Sequence, residues 1–499
     1  MAVPSTMEQA VEALTAASLA SECVIIPYDS IAATDAAAFL VSILGSRIKL
    51  LDGVSDEVEV NAAIAALPAQ GGRITILAGT VLISAAITTV HDTQLVGMGK
   101  DATVIKQADH ANIATGLIYM ESNFNRGLLQ DLGIDGNHAN NSSGYGIYAR
   151  GIWYADFVRI KIKECTTYGI RVTSTAGGVY SGECYFEDIY CHENPGIGFS
   201  ISACGDCVFV DCYTYDNGGV GWHIVASHNV FFHCHAYGDD TYGFQIDNTA
   251  DHTAMFGCTG DKVGRHGFYI NCGESQFIGC YAYDCNQASG GAGDYDGFRV
   301  TGTYNTLQGC LCKDDQGAGS RTQVYGIRES GSADHNVYIG NILREAKTGP
   351  MVIIGEASIV RDNEGYIHHG EIRTKYKALT AGVANAIGLA WQNPEAQAVY
   401  VRKINVPVTT GGGTPGSHFD MGVADDATGT NRGTEFFNDL HLETAQLNDS
   451  WLAGDGGQQT KAVKLEANGN ATDAWVVGQI LDANASALVG SALFEYMGA

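Results

Sequence analysis

A chain of 499 residues with 63 glycines, 8 prolines and 45% hydrophobic residues is long enough for two or three domains with a sizeable core, which excludes a disordered protein. Its 55 acidic against 28 basic residues leave a net charge of −27, which repels phosphate backbones and anionic membrane surfaces. No segment reaches the roughly 18 apolar residues of a membrane span, so neither nucleic acid nor membrane insertion is expected.

The first segment, residues 1–48, reads as an alanine-rich helix over Met7–Ala20, a short apolar strand C-V-I-I-P and a second apolar helical stretch, D-A-A-A-F-L-V-S-I-L. It is too apolar for a solvated tail and is expected either to attach the protein to others or to cap an open end of the fold. Its first basic residue is Arg47, so no positively charged leader is present and synthesis in a cytoplasm without a signal peptide is expected. Residues 49–110 follow as a strand, a turn and a helix (I-K-L-L-D-G-V-S-D-E-V-E-V-N-A-A-I-A-A-L), then G-G-R-I-T-I-L-A-G-T-V-L-I and L-V-G-M-G-K-D-A-T-V-I-K.

Beyond residue 145 the chain repeats. Units open at Gly146-Ile147, Gly169-Ile170, Gly198-Phe199, Gly221-Trp222, Gly243-Phe244, Gly267-Phe268, Gly297-Phe298 and Gly326-Ile327, at spacings of 22 to 30 residues. A second alternating strand in each unit aligns Cys212, Cys234, Cys258, Cys280 and Cys310 in one position, with Asn341 ending the row. Period-two alternation in units of this length, with Gly, Asn and Asp at the turns, describes one coil of a parallel β-helix per unit. Coils stack about 4.8 Å apart, so eight span roughly 38 Å. The 14 cysteines are then buried packing residues rather than disulfides or C-x-x-C pairs of zinc-site type. In F-H-C-H-A-Y-G-D-D (Phe232–Asp240), an inward Cys234 sends His233 and His235 outward, so no metal is expected there, and no metal or cofactor is expected elsewhere in the chain.

From about residue 366 cysteine disappears. Strands such as E-I-R-T-K-Y-K, A-V-Y-V-R-K-I-N-V-P-V and A-L-V-G-S-A-L-F-E-Y-M alternate with long polar loops, the texture of a jelly-roll-like antiparallel sandwich. The expected divisions are 1–48, 49–365 and 366–499.

The D-G-x-x-D turn, G-G-x-x-x-x-x-x-G, L-x-G-x-G and L-Q-D-L-G-I-D-G-N (Leu129–Asn137) resemble the pectate-lyase-like superfamily of right-handed, single-stranded parallel β-helices with an N-terminal capping helix. That superfamily holds pectinases, lyases, epimerases and the tailspikes of bacterial viruses. The resemblance covers roughly residues 49–360. D-M-G-V-A-D-D-A-T-G-T-N and the final strand resemble a small terminal domain of tailed-virus virion proteins. The resemblance implies a homotrimeric virion protein of tailspike or fibre type, joined to other virion proteins through residues 1–48 and contacting host-surface glycans, with or without cleaving them. Two other readings stay open: a free polysaccharide hydrolase or lyase, and a non-catalytic decoration protein.

Candidate chemistry sits at the turns. Aspartates recur after the cysteine row at Asp216, Asp239 with Asp240, Asp261, Asp284 and Asp314 with Asp315, where Asx-turns are the simplest use for them. Aligning D-D-T-Y-G-F, V-G-R-H-G-F and G-D-Y-D-G-F puts Asp240, Gly264 and Asp294 in one row and Tyr242, His266 and Asp296 in the next. Asp240 and Asp294, two coils apart, would lie about 9.6 Å from each other, near the spacing of an inverting glycoside hydrolase. The order D-D, R-H-G, G-F-R-V resembles the polygalacturonase pattern D-D, G-H-G, R-I-K, but Arg265 replaces a glycine, and the N-T-D and final lysine are missing. The expected catalytic set is therefore Asp239, Asp240, His266, Asp294 and Asp296. Arg265, Arg299, Trp222, Tyr242 and Tyr295 are expected to bind glycan, with Tyr281 and Tyr283 as further outward aromatics. Two insertions, N-Q-A-S-G-G-A-G-D-Y-D and Q-G-A-G-S-R-T-Q-V, would wall a groove beside them.

Overall fold

The computed structural model describes residues 22–29, 48–121, 125–288, 293–366, 372–383, 385–395, 398–410, 418–441, 446–450, 459, 462–467, 472–481 and 488–498. The helices read over Met7–Ala20 and in the second apolar stretch lie outside them. Two compact units form, residues 1–359 and 360–499.

The first unit is a parallel β-helix. Each repeating coil gives two short strands to one set of ladders and one strand to an eleven-stranded sheet. Val230–Phe232 pairs in parallel with Ala254–Phe256, His235–Tyr237 with Thr259–Asp261, and Phe244–Ile246 with Phe268–Ile270. The two strands of one coil are joined by a single residue in the left-handed conformation: Asp211, His233, Gly257, Gly279, Gly309 and Gly340 all have φ between 49° and 64°. Asp, His and Gly recur there because they tolerate positive φ better than branched or bulky residues do. A buried cysteine follows each of these bends except Gly340, where buried Asn341 takes its place. His233 is exposed and His235 half-exposed, on the opposite side of the strand from Cys234.

Stacked aromatic rows fill the interior. Phe157, Phe186, Phe209 and Phe231 lie with successive centroids 4.6, 4.5 and 4.7 Å apart. Phe199, Trp222, Phe244, Phe268 and Phe298 form a second row. A polar ladder runs along one corner, where a backbone N–H of each coil donates to a side chain of the next: Cys207 to Asn229 Oδ1, Thr253 to Ser275 Oγ, Ser275 to Asn305 Oδ1 and Asn305 to Asn336 Oδ1. These acceptors satisfy donors that the bends remove from the sheets.

At the N-terminal end the strand Glu22–Ile26 pairs with Ile48–Leu50 and Gly72–Ile76, so this part of the first segment is built into the solenoid. The helix Glu57–Ala65 follows the D-G-x-x-D turn and buries Val60, Ala63 and Ile64. Asp56 fixes that turn through the Gly53 and Leu82 amides at 2.9 and 2.8 Å.

The second unit is antiparallel. One sheet contains Ile372–Ala378, Val489–Gly498, Val399–Thr410, Gln446–Asp449 and Val463–Leu465; the other contains Ile387–Gln392, Trp475–Leu481, His418–Ala424 and Phe437–His441. Both contribute to one core, in which Trp391 stacks on Phe494 at 4.2 Å, making a sandwich.

Candidate functional site

In the eleven-stranded sheet the residue after each unit's glycine points inward and the next points out. The register stacks Tyr148 on Arg171, then Ser200, His223, Gln245, Tyr269, Arg299 and Arg328 in one outward column. The residues just before the glycines form a neighbouring row, Tyr242, His266, Asp296 and Tyr325, joined by the bonds Gly243 N–H to His266 O, Gly267 N–H to Asp296 O and Gly297 N–H to Tyr325 O. The two columns meet where the first insertion returns to the coil.

Asp296 is the centre of this cluster. It is fully buried and accepts from Arg299 Nε at 2.6 Å, Arg328 Nε at 3.0 Å and the Tyr325 amide at 3.1 Å. Burial raises its carboxyl to about 7, against the opposing pull of the Arg328 guanidinium. Asp294 lies above it, its exposed carboxylate 2.6 Å from Arg328 Nη2, while its carbonyl accepts from both arginines. His266 is buried, and its Nδ1 accepts the Asp296 amide at 2.8 Å. Burial and the nearby guanidiniums lower its pKa to about 3, so the ring is neutral at physiological pH and carries its proton on Nε2.

Arg265 stands apart from this network. Its guanidinium lies 5.4 Å from the Tyr242 ring centroid and 5.6 Å from that of Tyr295, and Nη1 reaches the Tyr242 hydroxyl at 3.4 Å. It forms no ion pair among the described residues. Tyr242 and Tyr269 stack at 5.5 Å beside it. The same arrangement recurs about four coils away on this face: Arg171 lies 5.1 Å from the Tyr168 centroid and 5.7 Å from that of Tyr148, and its buried Nε has no hydrogen-bond partner.

The structure thus gathers Tyr242, Arg265, His266, Asp294, Tyr295, Asp296 and Arg299, and separates the remaining expected residues from them. Asp239 is corrected from catalytic to structural. It is fully buried, aligns not with the bend residue Asp216 but one residue further in, and accepts from Asn217 N and Nδ2 at 3.0 and 2.7 Å and from Thr214 Oγ1 at 2.8 Å. It continues a ladder from Asn194 and Asn217. Trp222 is corrected likewise: it is fully buried between Phe199 and Phe244, with Nε1 on the His235 carbonyl at 3.3 Å, and cannot touch a ligand.

Asp240 is exposed and packs over Gly264, and its carboxylate has no hydrogen bond or ion pair among the described residues. The next coil sets Ala288 beside Gly264, so the insertion displaces Asp294 from the row that the alignment gave it. Tyr281 and Tyr283 lie on the other set of ladders. Arg328 and Tyr269 escaped the sequence reading although their signal was present: each stands two residues after its repeat glycine, like Arg299.

The family described as a right handed beta helix region matches residues 82–259. No curated protein matches the chain. Among solved structures, the chain is similar to the A-modules of the mannuronan C-5 epimerases AlgE6 and AlgE4 of Azotobacter vinelandii. Identity is 18% and 20%, the TM-score is 0.52 for both, and the alignments cover 63% and 64% of this chain and 96% and 99% of those. It is also similar to an N-terminal fragment of gene product 12 of bacteriophage Phi29, at 17% identity and a TM-score of 0.54, over 61% of this chain and 58% of that one. The fold of the first unit is accordingly a right-handed parallel β-helix.

Proposed function

We propose that this right-handed parallel β-helix protein is a virion protein of tailspike or fibre type that binds an acidic surface polysaccharide along the outer face of its eleven-stranded sheet. The observation that carries the reading is Arg265: a cation without a carboxylate partner among the described residues, held between two half-exposed tyrosine rings, a local exception to the net charge of −27 that elsewhere repels polyanions. Tyrosine faces take up the apolar face of a sugar ring, and a guanidinium pairs with a uronate, sulfate or phosphate. Arg171 between Tyr148 and Tyr168 repeats the pattern roughly 19 Å along the same face, which suits an extended chain rather than a monosaccharide.

Binding is favoured over hydrolysis because, of the expected catalytic carboxylates, Asp240 alone is uncommitted among the described residues, and one free carboxylate does not make an acid–base pair. Asp239 and Asp296 are fully buried in hydrogen bonds, and Asp294 is paired with Arg328. The shared fold of a bacteriophage gene product and of modules that act on mannuronan supports the assignment to a virion and to a glycan. A homotrimer is part of the proposal, and light scattering of the full chain tests it. The binding test is calorimetry against a panel of acidic and neutral polysaccharides, with reducing ends followed in parallel. Salt-sensitive binding to acidic chains, without new ends, supports the reading.

A further inference from the structure

We infer that Cys184, Cys204 and Cys207 form a binding site for one thiophilic d10 cation, Zn2+ or Cu+. Against the expectation that no cysteines form a zinc-type pair, the chain has a single C-x-x-C, Cys204-Gly-Asp-Cys207, and Cys184 comes from the preceding coil. All three are buried, and their sulfurs lie within 4.8 Å of one another, Cys204 Sγ and Cys207 Sγ at 2.7 Å. Among the described residues no other group of three or more His, Cys, Asp or Glu converges so closely.

The position of two of these sulfurs argues for more than packing. Cys184 and Cys207 occupy the corner ladder, where later coils place the oxygens of Asn229, Ser275, Asn305 and Asn336 to accept a backbone N–H. Cys207 Sγ accepts the Cys184 amide at 3.4 Å. A neutral thiol is a weak acceptor, whereas a metal-bound thiolate is a strong one. Cys184 Sγ also lies 3.9 Å from the Ile152 carbonyl of the preceding coil, as Cys234, Cys258, Cys280 and Cys310 lie against such carbonyls, so what sets this trio apart is the convergence of three sulfurs from two coils. Cys184 and Cys207 also reach the carbonyls of Gly182 and Gly205, which their thiols would bond before an ion binds.

Binding replaces three S–H bonds by three S–metal bonds and releases three protons; no electrons move. With metal–sulfur bonds of about 2.3 Å, sulfurs around a tetrahedral ion stand about 3.8 Å apart, so the Cys204–Cys207 pair, at 2.7 Å, opens by about 1 Å on binding. A water completes four-coordination for Zn2+, and three thiolates alone suit Cu+. An interior site of this kind fills as the chain folds.

The test uses the full chain, expressed in medium supplemented with zinc or copper, purified reduced and assayed for metal, and then exchanged with Cd2+ while the sulfur-to-metal charge-transfer band is followed. One ion per chain and one equivalent of Cd2+ are expected; zinc or copper in the purified protein identifies the native ion. Cys204→Ser and Cys207→Asn should abolish both signals. Cys207→Asn keeps the ladder acceptor that Asn229 provides in the next coil, so it is expected to fold, and Cys234→Ser should bind as the parent does. The inference is overturned by a metal-free protein that takes up no Cd2+, by a mass two units low that maps to a Cys204–Cys207 disulfide, or by a folded Cys207→Asn that keeps the band.

Discussion

Asp239→Asn is expected to stabilise the protein in neutral solution and to do nothing for it in acid. Burial raises the Asp239 carboxyl to about 7, against the hydrogen bonds from Asn217 and Thr214 that favour its charged form. Its unfolded value is near 3.9. Between these two pH values the unfolded chain loses the proton while the folded one keeps it, so the folded state holds more protons and stability falls as pH rises. At about 1.36 kcal/mol for each pH unit between the unfolded and folded values, the loss accumulates to roughly 4 kcal/mol by pH 7 and then levels off. An asparagine does not titrate, and the two preceding coils already place Asn194 and Asn217 in this ladder. Its Oδ1 can accept from Asn217 as Asp239 does. The assay is denaturant unfolding of the parent and the variant from pH 4 to pH 8, taking the difference so that all other titrating groups, Asp296 included, cancel. That difference should open from near zero at pH 4 to a few kcal/mol in favour of the variant at pH 8, with glycan binding unchanged. A variant that is less stable at both ends, with the parent's pH dependence intact, would refute the reasoning.

Two further substitutions separate core from surface. Trp222→Ala should cost about 3–5 kcal/mol by emptying a fully buried place between Phe199 and Phe244, while the folded variant binds polysaccharide as the parent does; lost affinity at full folding would restore Trp222 to the surface. Arg328→Ala leaves the buried Asp296 with one guanidinium in place of two and should lower stability by about 3 kcal/mol, a loss that Asp296→Asn partly restores in the double variant, as a thermodynamic cycle of unfolding would record.

The solenoid was legible because its interior is a repeat: glycine, an inward aromatic, an outward residue, then a left-handed bend before each cysteine. That grammar fixes which side chains face in, and it sends Trp222 inward by the same rule as Phe244 and Phe268, against its expected place on the surface. Asp239 was misread for a finer reason. A row of aspartates in sequence is not a row in space when Gly238, not Asp239, occupies the bend that Asp216 and Asp284 occupy. Asp294 was displaced by an insertion whose length alignment cannot turn into a position. The pairing of Asp296 with two arginines from different coils was out of reach of local pattern, although the recurrence of Gly-Phe-Arg and Gly-Ile-Arg at Arg299 and Arg328 announced the column. In the second unit alternation revealed the strands, but long loops hid which strands pair.

Arg265, a cation without an ion pair among the described residues and set between two rings, is tested most directly by the affinity of the full chain and of Arg265→Ala for an acidic polysaccharide that the parent binds, at two salt concentrations. Salt-weakened binding by the parent and at least a tenfold loss in the variant, with unfolding midpoints alike, are expected. Equal affinities for parent and variant, or a parent that binds no acidic polysaccharide across a broad panel, would contradict it.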